Sequence, residues 1–181
     1  IDAAGDLTVQ VLNAADVAAV STGVSVAGIA AQGSFATAER TAQSTVRSPT
    51  SVRLSADTLQ IRALDALAEA LARAVEARAT SIAGGIAGSA GGALSDATND
   101  SAVGIDLILR ELDVRGDARI AAFGRSGFDG ISSGVTTGTA ALGANRTILR
   151  DTSSTTVALT LDEDAPGDLT VGGQATVEAI S

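Results

Sequence analysis

Apolar and polar residues alternate near the start of the chain. Leu7, Val9 and Val11 are separated by Thr8 and Gln10, which is the period-two pattern of a β-strand with one face turned inward. Similar short runs return along the 181 residues. Their spacing constrains the architecture more strongly than any single run does.

The strand motif repeats at a nearly fixed spacing. Its leucines lie 52, 53 and 57 residues apart, and a second run recurs after 53 and 52 residues. The leucine motifs are Asp6-Leu7-Thr8-Val9, Thr58-Leu59-Gln60-Ile61, Glu111-Leu112-Asp113-Val114 and Asp168-Leu169-Thr170-Val171, and the second run is Val52-Arg53-Leu54, Ile105-Asp106-Leu107 and Val157-Ala158-Leu159. A period near fifty indicates a solenoid or propeller, whose units bury their apolar faces against their neighbours.

We therefore predict an all-β fold, a parallel β-helix (β-solenoid) of about three repeats of 52–57 residues that forms one domain over 1–181. Each unit traces roughly 175 Å if fully extended, so it makes one elongated coil, which we favour, or two shorter coils. The leucines of the motif should stack at one inward site, about 4.8 Å apart. The expected units are 5–56, 57–109, 110–166 and a partial 167–181, an excerpt of a longer repetitive chain.

Each unit also contains a stretch rich in glycine and alanine, at 23–33, 81–92 and 134–143. Both alternate faces of these stretches are small or apolar, which predicts strands with cover on both sides. We expect them to stack in register at a seam of small residues, and any lateral association of chains to use this seam. The alternative is a flexible glycine loop.

The segment 63–78 admits two interpretations. Leu64, Leu67, Leu71 and Val75 form a helical stripe, and the segment is rich in good helix formers. Its alanines also fall on strict alternation, and stacked coils force equivalent segments to pair. We favour a strand, with a short helix near 63–78 as the alternative.

Composition narrows the class of protein. Hydrophobic residues make up 45% of the chain and charged residues 18%, but the aromatic residues are three Phe only. Small residues must therefore carry the packing, which suits closely stacked sheets. The net charge is −9, with no basic surplus for a nucleic-acid partner. The chain has no cysteine, so disulfides and thiolate metal sites are excluded.

Candidates for catalysis are few. The chain lacks His and Cys, which leaves carboxylates as the available acids and bases. Asp113 with Asp117, or Asp162 with Asp164, could form a glycosidase pair. Solvated carboxylates at strand ends and turns are the more ordinary interpretation, so we predict a protein that is not an enzyme.

Candidates for binding are equally weak. Asp162, Asp164 and Asp168 could bind calcium, as could the run from Asp96 to Asp100, but neither matches a known calcium loop. We predict charged turns and no cofactor. The weak integrin-type motif Arg115-Gly116-Asp117 should lie on a turn after the strand that ends at Val114. Glycosylation sequons begin at Asn99 and Asn145.

Two hexapeptides carry a resemblance to a known family. Ala4-Gly5-Asp6-Leu7-Thr8-Val9 and Pro166-Gly167-Asp168-Leu169-Thr170-Val171 resemble the signature of filamentous-haemagglutinin-like and leukotoxin-type filamentous adhesins of Gram-negative bacteria. The motifs at Ala56-Asp57-Thr58-Leu59 and Arg110-Glu111-Leu112-Asp113 lack the glycine. The resemblance implies a right-handed parallel β-helix, export through an outer-membrane partner or an autotransporter pore, and display as a long fibre.

The function expected from these observations is a structural and adhesive, non-catalytic segment of a bacterial cell-surface or extracellular fibre. Its partners would be other cell surfaces or matrix, and copies of itself within a fibre. Two alternatives stay open at this point. One is a filament subunit that stacks end to end or laterally, and the other is a polysaccharide-acting β-helix enzyme, which the lack of Tyr and Trp disfavours.

Overall fold

The structure is all-β. The computed structural model describes residues 1–65, 74–124, 127–164 and 167–181, and these contain eleven strands and no helix. The strands are β1 (Leu7–Asn13), β2 (Val17–Arg47), β3 (Val52–Ala56), β4 (Leu59–Asp65), β5 (Val75–Val114), β6 (Ala118–Phe123), β7 (Phe128–Thr137), β8 (Ala141–Asp151), β9 (Ser154–Leu161), β10 (Leu169–Val171) and β11 (Ala175–Ile180). All nine pairings between these strands are parallel.

The pairings stack the chain in tiers. One sheet has the order β1-β4-β6-β11, and in the other β5 pairs with β2 and β3 on one side and with β7, β8, β9 and β10 on the other. We call residues 7–56 tier 1, 59–114 tier 2 and 118–171 tier 3, and β11 lies on β6 above them. Paired residues are 52 to 59 positions apart, so one repeat makes one elongated tier and not two shorter coils.

Each tier has a long arm that doubles back on itself. In tier 2 the chain runs outward over 75–85 and returns over 88–99, and a Cβ placed on Gly85 would lie only 2.0 Å from the Gly88 carbonyl oxygen. In tier 1 the Ser34 hydroxyl donates across the arm to the Ser21 carbonyl oxygen at 2.9 Å. The outbound and return halves therefore face each other directly, with mostly small side chains between them, and glycines face the larger Gln32 and Leu149.

The core has a thick part and a thin part. The thick part lies where β4 and β6 pack against the last third of β5, and it is built from large aliphatic residues such as Leu59, Ile105 and Ile120. The thin part lies inside the arm, where Ala79 packs with Ala93. Because the thin part buries little area per residue, backbone ladders between tiers carry more of the stability there.

The predicted register of the leucines is wrong at one step. Leu7 pairs with Leu59 and Leu112 with Leu169, as expected, but Leu59 pairs with Ala118 and Leu112 with Leu54. The leucines therefore occupy two different stacks. The cause is extra length in tier 2: nine residues separate β4 from β5, whereas three separate β1 from β2.

The predicted stacking of the glycine- and alanine-rich stretches is confirmed, and the flexible-loop alternative is wrong. Gly23 pairs with Ser81, Ser81 with Gly134, and Gly33 with Gly92. The segment 63–78, for which we favoured a strand over a short helix, is only partly described by the structure. Its ends, 63–65 and 75–78, are strand, and residues 66–73 lie outside the described residues.

We expect glycine to be required at Gly85, at the bend of tier 2, but not at Gly33, in the return half of tier 1. Gly85→Ala should lower the free energy of unfolding by about 1–3 kcal/mol, because the new methyl group would overlap a backbone carbonyl that cannot swing away. Gly33→Ala is the matched control, since a Cβ there meets no atom within 4 Å; it should be neutral or stabilise by about 0.4–1 kcal/mol. Urea denaturation measures both, and equal stability of the two variants would contradict the close approach.

Candidate functional site

A buried polar cluster lies where the arm joins the thick core. Arg40 is 2% exposed and sits in β2. Its guanidinium group donates from both terminal nitrogens to the Asp65 carboxylate, with Nη1 to Oδ2 at 2.9 Å. Nη1 also donates to Asn99 Oδ1 at 3.2 Å, and Nε donates to the Ala15 carbonyl oxygen at 2.7 Å. The fork of guanidinium donors is thus matched by acceptors from three segments.

The cluster connects all three tiers. Arg40 pairs in register with Asn99, and Asn99 with Asp151. The Asn99 amide donates to Ser101 Oγ at 3.3 Å and to Asp151 Oδ1 at 3.4 Å. Removing one partner would leave an uncompensated buried charge, so the cluster specifies which tiers meet at this joint.

Sequence reasoning missed the cluster, although a signal was present. Ala36, Ala38 and Ala42 are the inward residues of β2, and Arg40 falls on the same alternating phase. A charged residue on a buried phase implies a buried partner. The sequence does not reveal that partner, because Asp65 is brought to Arg40 only by the stacking of the tiers.

The Arg115-Gly116-Asp117 triplet lies on the turn between β5 and β6, as predicted. Both of its charged side chains contact neighbouring turns: Arg115 Nη1 lies 3.2 Å from Asp57 Oδ1, and Asp117 Oδ1 accepts from the Gln174 backbone N–H at 2.9 Å. The Gly116 N–H donates to the Asp57 carbonyl oxygen at 2.7 Å. These contacts hold stacked turns together, and integrin recognition stays a prediction.

The other predicted site residues are distributed over turns and strand ends. The Asp164 N–H donates to Asp162 Oδ1 at 3.2 Å, and the Asp168 carbonyl oxygen accepts from the Leu112 N–H at 3.1 Å. Within the described ranges no group of three or more acidic side chains is arranged to hold a metal ion. The calcium candidates therefore remain a prediction, and residues 165 and 166 of that loop lie outside the described residues.

Of the first proposed catalytic pair, only Asp117 lines the groove beside Arg119, and the two catalytic pairs stay a prediction. Asp117 lines a shallow groove of about 350 Å³ together with Arg119 and Glu178, but Asp113 does not line that groove. Arg119 and Glu178 form an ion pair with each other, with Nε to Oε1 at 2.9 Å. Of the two sequons, Asn99 is fully buried and hydrogen-bonded, whereas Asn145 is exposed on β8.

Ion pairs on the surface join consecutive tiers. Arg47 meets Asp106 at 3.2 Å, Arg53 meets Glu111 at 3.3 Å, and Arg150 meets Asp96 at 2.8 Å. The arginine side chains in these pairs are 54–71% exposed. Each pair therefore contributes at most about 1 kcal/mol, and their shared effect is to favour this order of tiers.

Comparison with protein-family models, with curated proteins and with solved structures finds no significant match. No helix that could span a membrane occurs in the part of the chain that the structure describes.

Breaking the buried ion pair should be costly. Asp65→Asn leaves the Arg40 charge buried without a counter-charge, so it should destabilise the fold by about 3–5 kcal/mol. Asp106→Asn is the matched control, because it removes the same type of pair at the surface and should cost at most about 1 kcal/mol. Chemical denaturation of both variants decides this. A loss below about 1 kcal/mol in Asp65→Asn would show that the cluster does not secure the joint.

Folding should not depend on a metal ion. We expect a chelator to leave the circular dichroism spectrum and the melting temperature unchanged, because no described set of three carboxylates converges. A chelator titrated with excess calcium as the control separates metal removal from salt effects. A fall of many degrees that calcium reverses would establish the loop from Asp162 to Asp168 as a calcium site.

Proposed function

We propose that this chain is a segment of a right-handed β-solenoid that belongs to a bacterial cell-surface or extracellular fibre and serves as a non-catalytic scaffold for adhesion. The observation that carries the proposal is the parallel ladder Leu7-Leu59-Ala118-Ala175, which joins four consecutive levels at equivalent positions. A solenoid built in this way can lengthen by adding tiers without any change in its cross-section.

The mechanical role follows from how the tiers are joined. Every tier is hydrogen-bonded to the next along its strands, and even the turns are linked, as in the Asp57 N–H that donates to the Gly5 carbonyl oxygen at 2.9 Å. Bending such a stack requires many backbone bonds to lengthen together. The buried cluster around Arg40 adds a second restraint, because slipping one tier against the next would separate buried charges.

The adhesive and extracellular parts of the proposal rest on the resemblance to filamentous adhesins, with which an acidic chain that lacks cysteine agrees. In that role the segment would hold a distal binding region away from the cell, and the contacts would be with other cell surfaces or matrix. Export would need an outer-membrane partner. The enzyme alternative stays a prediction, and of its first candidate pair only Asp117 lines the groove beside Arg119 and Glu178.

The proposal predicts where the native protein is found. Immunogold electron microscopy with antibodies against this segment should label fibres or rods on the outside of intact cells of the native source. Antibody fragments against the same segment should reduce attachment of those cells to other cells or to matrix, and pre-immune fragments provide the control. Label confined to the cell interior would contradict the proposed location. Surface label without any effect on attachment would contradict the adhesive role alone.

A further inference from the structure

The outer face of the sheet β1-β4-β6-β11 carries a row of hydrogen-bonding side chains. Leu59 and Ile61 belong to the core, so the residue between them, Gln60, points outward. In register with Gln60 lie Arg119 and Thr176 on the next two levels. The row therefore presents an amide, a guanidinium and a hydroxyl group on three neighbouring strands.

A groove of about 350 Å³ is lined by this row and by the turn residues that directly precede β4, β6 and β11, namely Thr58, Asp117 and Gln174. Leu59 and Ala118 also lie at the groove, but they are only 1% and 5% exposed, so they offer little apolar surface. The groove reaches across three strands, whose spacing of about 4.8 Å makes it roughly 10 Å long.

Several groups in the groove have no partner in the part of the chain that the structure describes. The side chains of Gln60, Gln174 and Thr176 make no hydrogen bond there. The charged groups are more constrained, because Asp117 Oδ1 accepts from the Gln174 backbone N–H and Arg119 is paired with Glu178. The unused groups are therefore two amides and one hydroxyl group.

We propose that this groove binds a neutral saccharide, as a mono- or disaccharide unit of a glycan. Amide and hydroxyl groups both donate and accept hydrogen bonds, as sugar hydroxyl groups do, so Gln60, Gln174 and Thr176 match them in either direction. A polyanion would meet the carboxylates of Asp117 and Glu178, and an apolar ligand would find no apolar wall. The volume lies near the lower end of the range of about 300–1,000 Å³ for small-ligand sites.

The binding should be weak. Among the described residues that line the groove none is aromatic, so a sugar ring gains no stacking surface, and we expect a Kd of about 1 mM. The inference does not rest on the proposed function, because the scaffold role needs no ligand at this groove. It also differs from the enzyme alternative, since binding requires no acid–base pair of carboxylates.

Saturation-transfer NMR of the whole chain tests the proposal with defined sugars, namely maltose, cellobiose, lactose and N,N′-diacetylchitobiose, and with a sulfated heparin disaccharide as the charged comparison. At least one neutral disaccharide should receive saturation and shift the backbone amide signals of residues 58–60, 117–119 and 174–178. Absence of transfer to all of the neutral sugars, or shifts confined to other residues, would overturn the proposal. So would transfer to the sulfated disaccharide alone.

Two substitutions test the groups that we assign to the ligand. Thr176→Val and Gln60→Ala each remove one hydrogen-bonding group from the groove, so each should raise the Kd by about three- to tenfold. Thr45→Val and Gln43→Ala are the matched controls, because they remove the same groups from exposed positions of β2 that do not line the groove. Circular dichroism verifies the fold of each variant. If Gln60→Ala does not fold, Thr176→Val, which keeps the side-chain volume, decides alone. Unchanged binding in the folded groove variants would overturn the proposal.

Discussion

The parallel backbone ladder between tiers is the interaction on which the rest of this structure depends. Each strand of tier 2 pairs with equivalent strands on both sides, so a residue is placed by what lies above and below it and not only by its neighbours in sequence. The ladder explains why a chain with three aromatic residues can fold. Where the tier is thin, as at Ala79 and Ala93, backbone hydrogen bonds replace the area that large side chains would otherwise bury.

The sequence predicts the type of fold well and the register less well. Alternation at Leu7, Val9 and Val11 correctly indicated a strand, because it is a local signal. The small-residue stretches also correctly indicated strands, because equivalent stretches of two tiers pair with each other. The leucine motif was misleading. Asp6-Leu7-Thr8-Val9 leads into β1, the first strand of tier 1. The identical Asp168-Leu169-Thr170-Val171 leads into β10, the last strand of tier 3. A motif of four residues cannot report the unequal lengths between β1 and β2 and between β4 and β5, and those lengths set the register.

The candidate site was hard to predict for a related reason. The triplet at Arg115 was placed on its turn correctly, but its neighbours, Asp57 and Gln174, belong to other turns. The Arg40 cluster is assembled from positions 25 and 59 residues apart. Charged groups are thus concentrated at the turns, tier edges and joint, and the arm tip is left neutral.

Paired cysteines would test the register most directly, because the chain has none of its own. Ser55 pairs with Asp113 in the structure, so Ser55→Cys with Asp113→Cys should form a disulfide within one chain at the short Cα distance of neighbouring strands. The leucine spacing would instead place Gln60 beside Asp113, and Gln60→Cys with Asp113→Cys tests that register. We predict intramolecular oxidation of the first pair only. Efficient oxidation of the second pair, with the first remaining reduced, would contradict the stacking of tiers on which this account depends.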